Sequence, residues 1–318
     1  MKEHNNYFDY LRAIAIIMVV GIHCYNSESQ EQIHLFVRNL LNCSVPLFLA
    51  ISGFFLGKKD LSTSKSHKNF LRVQIPRVYI PMLVWSLPLA FFKLRDGHSI
   101  LPTCVNFFLG GLGVFYFITL ILQYYILLPS MNKVLKWTGW WGIMLAFLVS
   151  EISIAIAIYL RAFYCMSIPL LIYAGFFTVW LVFYMTGVYL GRFSDRAYNL
   201  SLPLLIVLIG LILSQMESSY LVSHYGTGYG VKPSSFLYAF GIILFLFSSR
   251  TEKIIRKLLG DSNKILIYVG NISFAIYLVA RSFGAKIQWP LVSKMGFYSN
   301  HFNSINPSNE VDSTCKTS

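Results

Sequence analysis

Charge is what this chain lacks: Asp, Glu, Lys and Arg make up 12% of its 318 residues, where an ordinary soluble domain has about 25%. So few charges cannot clothe a water-facing surface around a core, which excludes a soluble globular protein. Acids are the scarcer sign, 13 against 26 Lys and Arg, for a formal net charge of +13. The five cysteines (Cys24, Cys43, Cys104, Cys165, Cys315) are scattered. With no C-x-x-C pair and no Cys/His cluster, neither a structural zinc site nor a disulfide framework is expected. The first apolar run has no A-x-A-like cleavage site and carries Asp9, Arg12 and His23 in or beside it. It reads as an uncleaved first helix, not a signal peptide. Internal repeats, a second soluble domain and low-complexity linkers are also missing.

What is present is apolar: 56% of the residues. A membrane-crossing helix needs about 20 mostly apolar residues. That rule predicts spans over 8–25, 35–56, 76–94, 112–130, 140–160, 167–190, 200–215, 235–249 and 264–284, the seventh and eighth short. Residues 99–110 are apolar but interrupted by Pro102, Asn106 and Gly110, and read as re-entrant or interfacial. The expected fold class is an all-α polytopic integral membrane protein with about nine transmembrane helices. Lys and Arg concentrate in alternate loops (Lys58 to Arg77, Lys133 and Lys136, Arg192 and Arg196, Arg250 to Lys264). By the positive-inside rule this puts the N-terminus in the cytoplasm. The basic balance is therefore a topology signal, and no nucleic-acid partner is expected. A single transmembrane domain should occupy 1–295. The polar segment 296–318 reads as a disordered tail and a possible truncation point.

Ionisable groups inside spans are costly and usually functional. Arg12 and His23 are eleven residues apart, about three turns, so they share one helix face roughly 16 Å apart along the axis. Asp9 and Arg12, at i and i+3, can pair. Among seven histidines, His23 is the one expected inside a span. A neutral imidazole can take a proton from a hydroxyl and return it to a leaving thiolate. Position alone leaves a second role open, capping the helix in the headgroup region, just as Arg12 could simply snorkel to the interface. Arg38, Asn39 and Asn42, followed by Pro46 and by Ser52-Gly53, form a polar stripe with a kink. Such a stripe lines a cavity or packs helices. Arg72 and Arg77 at the entrance of the third span suit phosphate groups, or merely obey the positive-inside rule; Lys68 stands with them.

The motifs, in order, are Tyr7 to Ala15 (YFDYLRAIA) with His23; Val45-Pro46-Leu47-Phe48 with Ser52-Gly53-Phe54; and Arg77-Val78-Tyr79-Ile80-Pro81 with Trp85. Then come Phe115-Tyr116-Phe117 with Tyr125 and Pro129, Gly187 to Arg192 (GVYLGR), and Ser273 to Leu278 (SFAIYL). This series resembles acyltransferase family 3, the membrane O-acyltransferases that modify surface polysaccharides. The resemblance implies transfer of an acyl group, often acetyl, from cytoplasmic acyl-CoA to a hydroxyl of a surface glycan or lipid-linked sugar, in a bacterial inner membrane. Carried onto this chain it makes His23 the general base and Arg12, with Asp9, an organiser of the site. Arg72, Arg77 and Lys68 become candidates for the donor phosphates, and Arg38, Asn39, Asn42 and Ser52 for the substrate lining. The donor would be a substrate, with no bound cofactor and no metal. Gln74 stands where members often carry an arginine, and Val279 follows SFAIYL where Ile-His is usual. Members usually have about ten spans. Two other readings remain: a carrier or flippase of lipid-linked sugar without chemistry, and an inactive truncated remnant.

Overall fold

The computed structural model describes residues 6–24, 31–61, 63–113, 115–164, 166, 168–259 and 263–282. The expected tail over 296–318 lies outside them. Among the described residues all regular structure is helical. Large apolar side chains cover the outside of the helices: Phe91, Leu101, Leu145, Ile152, Leu208 and Met216 are all more than half exposed. Soluble monomers do not show such a continuous apolar exterior, whereas lipid tails solvate it. Trp137 and Trp141 lie exposed at the turn between two helices, beside Lys133 and Lys136, the pairing expected at a headgroup boundary. The protein is an all-α integral membrane protein.

Among the described residues five helices are long and apolar enough to cross a membrane, or six if one bent pair is a single span. The first is broken into α2 (Gln32–Leu41) and α3 (Ser44–Gly57), after α1 (Asn6–Cys24). Pro46 lacks an N–H for the carbonyl of Asn42, four residues back, so the break falls one turn before the proline. Next comes α4 (Ser64–Arg95), whose 32 residues contain Pro76, Pro81 and Pro88. At 1.5 Å per residue it is about 48 Å long, more than the hydrocarbon needs, so one or both of its ends project beyond it. The Thr63 hydroxyl caps it by accepting from the Ser66 N–H (3.2 Å). The interrupted segment forms α5 (Ile100–Phe108), nine residues and too short to span. It packs on α4, where the Tyr79 hydroxyl donates to the Phe108 carbonyl (2.9 Å).

The long helices α6 (Tyr116–Thr138) and α7 (Trp140–Tyr164) follow. The expected span over 167–190 is not one helix: α8 (Leu170–Tyr173) and α9 (Leu181–Arg192) are separated by irregular chain. Unpaired backbone in a membrane protein must be satisfied by other protein groups, and here it is. Gln123 donates to the Gly175 carbonyl (2.7 Å) and accepts from the Phe177 N–H (3.2 Å). The Tyr124 and Ser150 hydroxyls donate to the Phe177 and Thr178 carbonyls (2.7 and 3.1 Å). The Trp180 indole N–H donates to the Ala174 carbonyl (2.7 Å).

A second correction concerns α10 (Ser201–Tyr225), expected to be short but 25 residues long. It pairs with α11 (Pro233–Phe247), which bends by 70° into α12 (Ser249–Leu259). The last expected span is two short helices, α13 (Lys264–Asn271) and α14 (Ser273–Ser282). The core is built where small residues let backbones touch. Gly53 and Gly57 of α3 face the backbone of Tyr184 and Val188, and Gly187 and Gly191 of α9 face that of Ala50 and Phe54. A side chain at any of the four would collide with main chain, the small-xxx-small packing that membrane helices use in place of a hydrophobic drive.

Candidate functional site

Two polar regions sit at opposite ends of α1. The first is at its start. Phe8 stacks on Phe54 of α3, ring centroids 4.4 Å apart, and meets Phe247 of α11 edge-on at 5.4 Å. This aromatic wedge seats the next residue, Asp9, which has no exposed surface. A buried carboxylate needs a partner, and Arg12, one turn on, supplies it: its Nη1 lies 2.8 Å from Asp9 Oδ1. The guanidinium also lies over the Phe55 ring, 4.9 Å from its centroid, and keeps 30% of its side chain exposed. Gly270 of α13 packs on the Asp9 backbone, where a side chain would strike the Asp9 carbonyl. The segment just before the SFAIYL motif thus closes over the aspartate.

More cations gather around the same aromatic floor. Lys58 Nζ is 4.0 Å and the Arg196 guanidinium 5.2 Å from the Phe54 centroid. Arg192 Nη1 donates to the carbonyls of Gly57 (3.3 Å) and Lys59 (2.9 Å), closing the end of α3. Arg196 pairs with Glu252 at 2.7 Å, and Arg256 pairs with the same carboxylate at 3.0 Å. The sequence placed Lys58 and Arg196 only in orienting loops, and Arg192 there and at the end of the GVYLGR motif, none of them in a site. The available signal was Arg192 directly after Gly187-x-x-x-Gly191, a close-packing pattern that had to bring the arginine to another helix.

The second region is at the other end. His23 is exposed in the last turn of α1, on the helix face it shares with Arg12. Its expected uniqueness needs correction: the helices run further than the apolar runs, so His34, His67 and His224 also lie on helices, in α2, α4 and α10. The start of α2 is at the same end. Asn39, buried, donates from Nδ2 to the Ser214 carbonyl (3.3 Å) and Gln215 Oε1 (3.0 Å). Its Oδ1 accepts from Ser218 Oγ (3.0 Å) and Lys232 Nζ (2.7 Å). Asn42 Nδ2 and Arg38 Nε donate to the carbonyls of Gly230 and Tyr229, both at 3.0 Å. All four hydrogen bonds an asparagine can make are therefore taken at Asn39. Here the α2 stripe clamps α10 and the turn before α11. Ser52, half-buried, lies further along on α3.

Lys232 and Glu217 were not singled out from sequence. Lys232 lies in the turn 226–232 with no exposed surface. Burial pushes its ammonium down to about 7, opposed by Glu217 and reinforced by Arg38. Glu217 accepts from the Tyr159 hydroxyl (2.9 Å) and the Ser234 N–H (3.0 Å). A lone lysine in loops otherwise poor in cations was the visible sign. On α4, Lys68, Arg72 and Arg77 are all exposed. Arg72 and Arg77 are five residues apart, about 140° around the axis, and so do not form one face. Lys59 Nζ lies 5.1 Å from the Phe70 centroid, which brings the start of α4 to the end of α3.

A family profile described as an acyltransferase domain matches residues 5–310. The chain belongs to acyltransferase family 3. The profile covers both ends of α1, the α3–α9 crossing and the cations of α4. No curated protein and no solved structure compared with the chain gave a match. Among the described residues no group of three or more metal-ligating side chains occurs.

Proposed function

We propose that this acyltransferase is a membrane O-acyltransferase that carries an acyl group, often acetyl, from cytoplasmic acyl-CoA to a hydroxyl of a surface glycan or lipid-linked sugar. The observation that carries the reading is α1 itself, an unbroken helix with the Asp9–Arg12 pair at one end and His23 at the other. The N-terminus is cytoplasmic in this reading, and the membrane is a bacterial inner membrane. The donor's phosphates rest on the cytoplasmic cations of α4, Lys68 and Arg72 on one face and Arg77 on another, with Arg12 organising the inner end. The pantetheine arm of the donor is long enough to run the roughly 16 Å from Arg12 to His23 along α1.

His23, neutral, takes the proton of the acceptor hydroxyl as its oxygen attacks the thioester carbonyl. The tetrahedral centre collapses, the carbon–sulfur bond breaks, and the protonated imidazole returns the proton to the thiolate. Atoms and protons balance without a metal or a redox partner. General-base help of this kind is worth about 10²- to 10⁴-fold. Membranes containing the His23→Ala protein at matched abundance should therefore move labelled acetyl from acetyl-CoA into saccharide at least about a hundredfold more slowly than wild type. Equal rates would remove the base assignment. A covalent acyl-His23 trapped with label would replace direct transfer by a two-step route.

A further inference from the structure

The helix α12, SRTEKIIRKLL, has a face that the acyltransfer reading does not use. It leaves the end of α11 at 70°, so if α11 crosses the bilayer, α12 runs nearly along its surface. Its first turn is fixed: Ser249 donates from N and from Oγ to the Arg196 carbonyl (3.0 and 3.1 Å). Arg196 takes a positive φ of 62°, uncommon for a residue with a side chain, and its N–H is held by Ser194 Oγ (3.0 Å). The acid of the helix is withdrawn from the surface, since Glu252 is held between Arg196 and Arg256.

What faces outward is then cationic and apolar, side by side. At 100° per residue, Lys253, Lys257 and Arg250 fall within about 60° of the helix circumference, and Ile254 and Leu258 within the next 80° or so. All five are exposed, Ile254 at 53% and Leu258 at 77%. Three cations without an acid beside two bare aliphatic side chains match the chemistry of a membrane–water interface, with phosphate above and acyl chain below.

We infer that α12 is a docking strip for acidic lipid headgroups: Arg250, Lys253 and Lys257 meet the phosphates while Ile254 and Leu258 enter the acyl boundary. The strip adjoins the start of α1, where the Tyr7 hydroxyl donates to the Leu246 carbonyl at the end of α11.

The test uses the full chain in a neutral detergent with fluorescent phosphatidylglycerol or phosphatidylcholine as probe. Each cation near an acidic surface strengthens binding by roughly fivefold, so the Arg250→Gln, Lys253→Gln, Lys257→Gln protein should lose about a hundredfold for phosphatidylglycerol. Should that variant not fold, wild type alone decides, because preference for the acidic lipid must vanish near 1 M salt, where charge is screened within about 3 Å. Undiminished binding by the triple variant, equal binding of both lipids, a preference indifferent to salt, or displacement of the lipid by coenzyme A would each overturn the assignment, the last giving the strip to the donor instead.

Discussion

A lysine with no exposed surface is tolerable only where something replaces its water. At Lys232 that replacement is thin: one Asn39 oxygen at 2.7 Å and the field of Glu217, set against Arg38. Its pKa therefore falls from 10.5 to about 7. Between these values the unfolded chain binds more protons at this site than the folded one, so stability rises with pH through that window. At a little over 1 kcal/mol per unit, the full effect is on the order of several kcal/mol. The unfolding midpoint of wild type should climb from pH 7 to 10 relative to Lys232→Met, in which Ser218 still satisfies Asn39. Parallel midpoints across that range would show that the ammonium is not buried as described. At this scale the sequence was informative for Asp9 and Arg12, whose i, i+3 spacing predicts their pair. It was not for Asn39, because four partners contributed by α10 and the 226–232 turn leave no trace in the local sequence.

Among the elements, those set by proline and by uninterrupted apolar runs were legible: the break before Pro46, the short α5, the long α6 and α7. Those set by tertiary contact were not. The α10 pattern turns polar at Gln215, Glu217, Ser218 and Ser219, which reads as the end of a span. Yet Gln215 and Ser219 bind Gln32, and Ser218 binds Asn39, so the helix continues under protein cover. The reverse holds over 167–190, where an apolar run hides a chain break. Its stability rests on Gln123, which serves both a carbonyl and an N–H of the irregular segment. Gln123→Leu should leave two partly buried backbone groups without this partner, at up to about 1–3 kcal/mol each, and lower the thermal midpoint of the purified protein. An unchanged midpoint for the leucine variant would mean that the segment is satisfied some other way.

At the scale of the molecule, nine spans were expected, and among the described residues five or six helices meet the length and hydropathy of a span. The difference lies in α1, which carries Asp9 and Arg12, and in the broken segments α8–α9 and α13–α14. Each packs one face on neighbouring helices, α1 on α3 and α13, α9 on α3 and α7, α13 and α14 on α1 and α4, while Ile17, Ile172 and Ile265 stay exposed. Breaks of this kind are allowed in a bilayer when protein surrounds them, so a count of apolar runs and a count of long helices measure different things. The family, by contrast, was legible throughout, because its motifs fall at the crossings that hold the fold: YFDYLRAIA under Gly270, Gly53 against Tyr184, and Gly187 and Gly191 against Ala50 and Phe54. In the proposed function α1 joins a donor end to an acceptor end across the membrane, and sealed vesicles of inside-out orientation separate the two ends. Labelled acetyl-CoA added outside, where the cytoplasmic face is exposed, should deliver label to saccharide in the lumen, and His23→Ala vesicles should not. Label that stays on the outer face, or reaches the lumen equally without His23, would contradict the account.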